Sequence, residues 1–156
     1  MTLEMLLSII VPCFNEEKTA PLVLKEIFKQ PYNFEYEVIV VDDGSKPPLR
    51  NYITRFLHRD NLKYFRLKEN QGKGIALRIG IRKAKGTLVV FQDADMEYFP
   101  SDIPKLVAEI EGGNIDAVYG TRFSEKQSSM SVTHYIGNKI LTWWTNRLFR
   151  SANLTD

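Results

Sequence analysis

Short apolar runs alternate along this chain with longer stretches of helical periodicity. The runs are rich in Val, Ile, Leu and Phe, and they predict strands at 6–14, 36–41, 62–67, 87–91 and 115–119. The intervening stretches predict helices at 18–29, 48–58, 74–83 and 101–111. Because this order favours right-handed β-α-β units, we expect an α/β fold with a mostly parallel, Rossmann-like sheet flanked by helices.

Size and composition are those of an ordinary folded domain. The chain has 156 residues, of which 44% are hydrophobic and 26% are charged, and this suits a single domain over 1–156. A net charge of +2 does not indicate the excess of basic residues that nucleic-acid binding requires, so we expect no nucleic acid among the partners. The single Cys13 can form no internal disulfide, and no stretch approaches the ~20 apolar residues that cross a bilayer. We therefore expect a cytoplasmic protein.

The polar residues that follow the strands are the candidates for a binding site. Ligands of parallel α/β sheets bind beyond the carboxyl ends of the strands. Polar groups follow four of the five runs, at 15–17, 42–45, 92–95 and 120–122. We expect them to gather at one edge of the sheet.

Two carboxylates with one residue between them, Asp93 and Asp95, follow the fourth run, and Glu97 comes two residues later. In an irregular turn such side chains can converge on a divalent cation, and their oxygen atoms suit Mg²⁺ or Mn²⁺. The ion would bridge the two phosphates of a nucleoside diphosphate. The alternative is a solvated acidic turn that caps the next helix.

Three further groups suit an anionic or nucleotide ligand. Asp42 and Asp43, followed by a glycine, can accept hydrogen bonds from a base or ribose, although the same pattern forms ordinary β-turns. Lys73 lies in a glycine-containing loop before a helix, where an anionic group is favoured, or is a solvated lysine. Arg122 can bind phosphate oxygens with two parallel hydrogen bonds, or is a surface residue.

An aromatic and basic stretch lies at 134–150. A helix of this composition can lie in a membrane interface, which would place the protein peripherally at the cytoplasmic face of the membrane. Packing on its own domain is the alternative.

Five segments together resemble glycosyltransferase family 2, the inverting enzymes of the GT-A fold. They occur in the family's order and are IIVPCFNEE (9–17), VIVVDDGS (38–45), NQGKGIALRIGI (70–81), GTLVVFQDADMEYFP (86–100) and DAVYGTRF (116–123). They are most similar to the branch of dolichyl-phosphate mannose and glucose synthases and bacterial polyprenyl-phosphate glycosyltransferases. The resemblance implies metal ligation by Asp93, Asp95 and Glu97, with Asp93, Asp95 and Arg122 as the catalytic residues. It also implies nucleotide contacts, which fall on Pro12, Asn15, Glu16, Asp42 and Asp43.

The resemblance further implies transfer of a hexose from a UDP- or GDP-sugar to a polyprenyl phosphate. Two alternatives stay open: transfer to a saccharide hydroxyl with a carboxylate base, and a non-catalytic module that binds nucleotide sugars. Enzymes of this family usually continue past position 156, so we expect a chain truncated at its C-terminal end. A nucleotidyltransferase is not favoured, because VPCFNEE lacks a glycine-rich, basic signature.

Overall fold

The computed structural model describes residues 5–112 and 115–120. Internal contacts divide the chain into two compact units, 1–108 and 109–156. The single domain expected over 1–156 stays a prediction. The strands and helices are β1 (Leu6–Cys13), α1 (Ala20–Lys29), β2 (Glu35–Asp42), β3 (Leu62–Arg66), α2 (Lys73–Lys83), β4 (Leu88–Phe91) and α3 (Ile103–Gly112).

The four strands form one parallel sheet in the order β3-β2-β1-β4. The predicted α/β class is therefore confirmed. After β1 the chain builds the sheet outward through β2 and β3, and then returns to place β4 on the other side of β1. The order of the strands reverses between β1 and β4, and such a switch point leaves a crevice beyond the carboxyl ends of the two strands.

The larger apolar layer lies on the sheet face covered by α1 and α3. Ala20, Val23, Leu24 and Ile27 recur at helical spacing on α1 and are buried, as are Ile103 and Val107 on α3. They pack with alternate strand residues in one cluster with Ile9 and Val40. Burial of one helical stripe against one face of each strand gives this layer its stability.

On the opposite face α2 packs directly on β1 and β2, with Ala76 against Ile10, Ile39 and Val41. Gly80 permits the close approach, because a Cβ atom at this position would lie 2.4 Å from Cγ2 of Ile10. The N-terminus of α2 consequently lies at the carboxyl edge of the sheet, beside the switch point.

Two predicted elements are wrong. Residues 48–58 form two short 3₁₀ turns, Leu49–Asn51 and Thr54–Phe56, instead of an α-helix. Leu49, Ile53 and Phe56 recur at helical spacing and are buried. Two separate turns, each closed by its own local hydrogen bonds, bury these side chains without a continuous helix. No strand forms at 115–119, where the side chains of Ile115 and Tyr119 are 45% and 88% exposed, because a strand needs a buried face and a hydrogen-bonded neighbour.

No helix in the described part of the chain is long and apolar enough to span a membrane. The longest of them, α2, has 11 residues, whereas a span needs about 20.

Candidate functional site at the carboxyl edge of the sheet

A cavity of about 250 Å³ opens at the switch point between β1 and β4. Segments after β1, β2 and β4 line it, together with the first turns of α2. Its volume lies slightly below the ~300–1,000 Å³ that is usual for ligand pockets.

The acidic turn after β4 is held in place by its neighbours. Ala94 is buried in the main core, while Asp93 and Asp95 on either side of it line the cavity. The buried Gln92 closes the turn, because its Nε2 donates to the carbonyl oxygens of Asp93 (3.1 Å) and Tyr98 (2.9 Å). Asp93 and Asp95 thus both line the same cavity, and their role as cation ligands stays a prediction.

Lys73 is the first residue of α2, and it reaches across the cavity to the acidic turn. Its Nζ lies 2.6 Å from Oδ1 and 2.8 Å from Oδ2 of Asp93. Both oxygens of this carboxylate therefore contact one ammonium group.

Asp42 ends β2 and is fully buried. Its Oδ1 accepts from the backbone N–H of Ser45 at 2.8 Å, and its Oδ2 accepts from the N–H of Leu49 at 3.1 Å and the hydroxyl of Tyr64 at 2.6 Å. Burial alone would raise the pKa of Asp42, but these hydrogen bonds outweigh it and lower the pKa below 3.8. The carboxylate of Asp42 holds the loop after β2 in shape. It has no exposed surface that a nucleotide could contact, so the nucleotide contact expected of Asp42 stays a prediction.

Asp43 connects this loop to the loop before α2. Its Oδ1 accepts from the N–H of Gln71 and its Oδ2 from the N–H of Gly72, both at 2.8 Å. Gly44 follows with φ of 76°, and a Cβ atom there would lie 2.5 Å from the carbonyl carbon of Glu69. Only glycine allows the two loops to lie this close, and their contact fixes the start of α2.

The segment after β1 is tied to the same loop. The N–H of Asn15 donates to Oγ of Ser45 at 3.0 Å, and Oδ1 of Asn15 accepts from the N–H of Lys46 at 3.0 Å. Glu16 accepts a hydrogen bond from the hydroxyl of Thr19 at the start of α1. Asn15 therefore positions the cavity wall that Pro12 and Glu16 form.

Most of the predicted site residues meet at this cavity. The structure brings together Pro12, Glu16, Asp43, Lys73, Asp93 and Asp95 in its lining. Asn15 and Asp42 support the loops around it, and Glu97 does not belong to the lining, although its N–H donates to Oδ1 of Asp95 at 3.0 Å. Arg122 and the stretch 134–150 lie outside the described residues.

Five lining residues were not among the predicted site residues: Cys13, Phe14, Asn70, Ala76 and Ala94. Phe14 is 45% exposed although it directly follows a buried strand. An aromatic side chain at the carboxyl end of a strand was the available signal, because its exposed face can stack on a nucleotide base.

Among the described residues, the lining includes four acidic residues, Glu16, Asp43, Asp93 and Asp95, and one basic residue, Lys73. A phosphate group would be repelled from such a surface unless a cation came with it. Proteins hold Mg²⁺ through one or two carboxylates together with substrate phosphates and water, so the oxygen atoms of Asp93 and Asp95 fit such an ion. No three His, Cys, Asp or Glu side chains converge on a metal position within residues 5–112 and 115–120, so Glu97 as a third ligand stays a prediction.

Fold and site together define an α/β protein whose ligand cavity lies at a switch point of a parallel sheet. The sequence matches the model of Glycosyl transferase family 2 over residues 8–155. The chain belongs to this family, which confirms the resemblance seen in its motifs.

Two relatives act on lipid phosphates, according to their names. Dodecaprenyl-phosphate galacturonate synthase from Rhizobium johnstonii is 33% identical over 146 residues, which cover 91% of this chain and 41% of the relative. Dolichyl-phosphate beta-glucosyltransferase from Homo sapiens is 36% identical over 110 residues, covering 64% of this chain and 34% of the relative. The chain spans at most half the length of the curated relatives that it matches first.

Solved structures of glycosyltransferases share the fold. TarS 1-349 of S. aureus in complex with UDP-GlcNAc is 32% identical, with a TM-score of 0.61 over 69% of this chain and 31% of that chain. The mannosyltransferase PcManGT from Pyrobaculum calidifontis, in complex with GDP-Man and Mn²⁺, is 34% identical, with a TM-score of 0.55 over 60% of this chain and 28% of that chain. The GT-A class expected from the motifs is thereby confirmed.

Proposed function

We propose that this chain is the donor-binding part of an inverting glycosyltransferase that transfers a hexose from a UDP- or GDP-sugar to a polyprenyl phosphate. The observation that carries the proposal is the cavity lining, in which four acidic residues outnumber one lysine within the part of the chain that the structure describes. This lining disfavours a bare diphosphate and favours one that arrives with Mg²⁺ or Mn²⁺. The complex of PcManGT with GDP-Man and Mn²⁺ supports the same combination of ligands.

The residues of the cavity would each have a defined task. Asp93 and Asp95 would hold the cation, which when bound neutralises the charge that develops on the departing diphosphate. Lys73 would bind a phosphate oxygen, and Phe14 would stack on the base. Asp43 would keep the loop at 70–72 in place through its two backbone hydrogen bonds. Arg122 and Glu97 would complete the phosphate and metal contacts.

The acceptor assignment follows from chemistry and from the two relatives named for lipid phosphates. An oxygen of the acceptor phosphate would form the new bond to the anomeric carbon while the bond from that carbon to the diphosphate breaks, with inversion. A phosphate is already an anionic nucleophile, so no general base is required. A peripheral contact of 134–150 with the membrane would suit a lipid-linked acceptor.

Calorimetry with UDP, GDP and their sugars tests donor binding. We expect binding that requires Mn²⁺ and that Asp95→Ala abolishes, because one cation ligand of the cavity is lost. Asp102→Ala is the matched control, since this carboxylate lies outside the cavity lining and forms an ion pair with the exposed Lys105 at 3.6 Å. Undiminished binding by the Asp95 variant, or equal binding in excess EDTA, would contradict the proposal.

Acceptor choice is tested by incubating the protein with donor sugar and either a short polyprenyl phosphate or water alone. We expect sugar transfer to the lipid phosphate to exceed donor hydrolysis. Metal-dependent donor binding without transfer to any lipid phosphate would favour the non-catalytic module, and transfer to saccharide hydroxyls would favour the other alternative.

A further inference from the structure

Lys73 stands out among the residues of the cavity because it supplies the only positive charge of the lining within the described residues. Its ammonium contacts both oxygens of Asp93, at 2.6 and 2.8 Å. The side chain of Asp93 is 18% exposed and that of Lys73 is 60% exposed. The carboxylate is thus held in the wall, while the ammonium reaches it from the solvent side.

The position of Lys73 is not explained by the stability of α2. The first turn of a helix favours acidic groups, because the partial positive charge of the helix lies there. Lys73 begins α2, and no acidic residue occupies the first turn. The ion pair with Asp93 offsets this unfavourable placement of Lys73. We therefore assign the ion pair a role in the cavity and not in the stability of the helix.

The backbone around Lys73 is fixed in place. Gly72 precedes the helix with φ of 92°, and its N–H is bound by Asp43 at 2.8 Å. The side chain of Lys73 is 60% exposed, and rotation about its four-carbon stem can turn the ammonium away from Asp93 without a change of the loop.

We propose that Lys73 is an internal counter-ion of Asp93 which the divalent cation displaces, and that the displaced ammonium then binds the diphosphate of the donor. This inference rests on the proposed function, since it concerns the same cation and the same diphosphate. A cation that arrives alone competes with the ammonium for Asp93. A cation that arrives with a diphosphate gives the ammonium a new anionic partner, so binding of cation and nucleotide is mutually strengthened.

The test measures Mn²⁺ binding without nucleotide, by the loss of the electron paramagnetic resonance signal of free Mn²⁺. Lys73→Met removes the competing ammonium, and we expect it to bind Mn²⁺ about two- to fivefold more tightly than the natural chain, as suits a partly exposed ion pair. With Mn²⁺ present, the same variant is expected to bind UDP or GDP about tenfold more weakly, because a charge-assisted hydrogen bond is lost.

Two further variants make the result specific. Lys83→Met removes the same charge from the far end of α2, ten residues or roughly 15 Å away, and should leave both affinities unchanged. Lys73→Arg keeps a cation at the first position and should bind Mn²⁺ alone like the natural chain. Thermal unfolding of each variant verifies that it is folded.

The outcomes separate the inference from the proposed function. If the natural chain binds Mn²⁺ with nucleotide but Lys73→Met binds Mn²⁺ alone no more tightly, the counter-ion role is overturned and the proposed function stands. If neither protein binds Mn²⁺ with or without nucleotide, the metal-dependent function fails and the inference fails with it.

Discussion

Asp42 shows how a carboxylate beside the cavity acts through structure. Because hydrogen bonds hold its folded pKa below 3.8, the ionised group contributes stability that is fully present above that pH. The contribution is lost as the pH falls through the lowered folded pKa. Asp42 therefore links the shape of the loop after β2 to the acid stability of the protein.

We predict that Asp42→Asn lowers the free energy of unfolding at pH 7 by about 2–4 kcal/mol, since an amide replaces a buried charge that accepts three hydrogen bonds. Urea unfolding at several pH values measures this. Stability should fall less steeply in the variant as the pH drops below 3.8 and through the lowered folded pKa of Asp42. Asp60→Asn, the same change at an exposed position, should stay within about 0.5 kcal/mol. Equal losses from the two variants would contradict the role of Asp42.

At the scale of single residues, the sequence predicted which residues belong to the site better than it predicted which of them contact one another. Asp93, Asp95 and Lys73 were all expected near a diphosphate, because acidic turns after strands and a lysine before a helix have a recognisable pattern. The pairing of Lys73 with Asp93 and the burial of Asp42 were not predictable. Both depend on contacts between segments about twenty residues apart, which periodicity does not encode.

Among the elements, α2 is the one whose position matters most for the cavity. It carries Lys73 at its start, and Gly80 in its third turn lies against Ile10 of β1. Whatever moves the helix away from the sheet also moves the ammonium relative to Asp93.

We predict that Gly80→Ala destabilises the protein by about 1–3 kcal/mol, because the new methyl group would overlap with the side chain of Ile10. It should also weaken binding of nucleotide with Mn²⁺ by displacing Lys73. Gly74→Ala is the matched control on the same helix, where no atom lies within 4 Å of the added Cβ. That change should be neutral or stabilising by up to about 1 kcal/mol. Chemical unfolding and calorimetry measure both effects, and equal stability of the two variants would exclude close packing as the cause.

The elements also show what hydrophobic patterns can and cannot predict. The strands at β1 to β4 were predicted within two residues at each end, because buried parallel strands form continuous apolar runs. The same reasoning failed at 48–58, where Leu49, Ile53 and Phe56 have helical spacing but lie on two 3₁₀ turns. It also failed at 115–119, since an apolar run indicates a strand only where a neighbour buries it.

For the whole molecule, the excess of negative charge in the cavity contrasts with a net charge of +2. Positive charge elsewhere on the chain does not substitute for a cation in the cavity, because charges more than about 8 Å apart are screened at physiological salt. Acidic residues were expected to gather at this edge of the sheet, but how many of them line one cavity depends on four separate segments meeting there, which sequence patterns alone do not show.

We predict that UDP or GDP together with Mn²⁺ raises the midpoint of thermal unfolding, while either ligand alone has a much smaller effect. A ligand at a hundred times its dissociation constant stabilises the folded state by about 2.7 kcal/mol. Differential scanning fluorimetry with each ligand alone and with both measures the shift. A full shift from the nucleotide in EDTA would show that the cavity needs no cation.

The sheltered position of Cys13 has a practical consequence. Cys13 is 3% exposed and belongs to the cavity lining, and burial together with the nearby Asp42 raises the pKa of its thiol, which keeps it protonated and poorly reactive. Since the sequence contains no second cysteine, one introduced on the surface would be the preferred target for a maleimide dye or spin label. Distance measurements on the natural background thus require no prior removal of thiols.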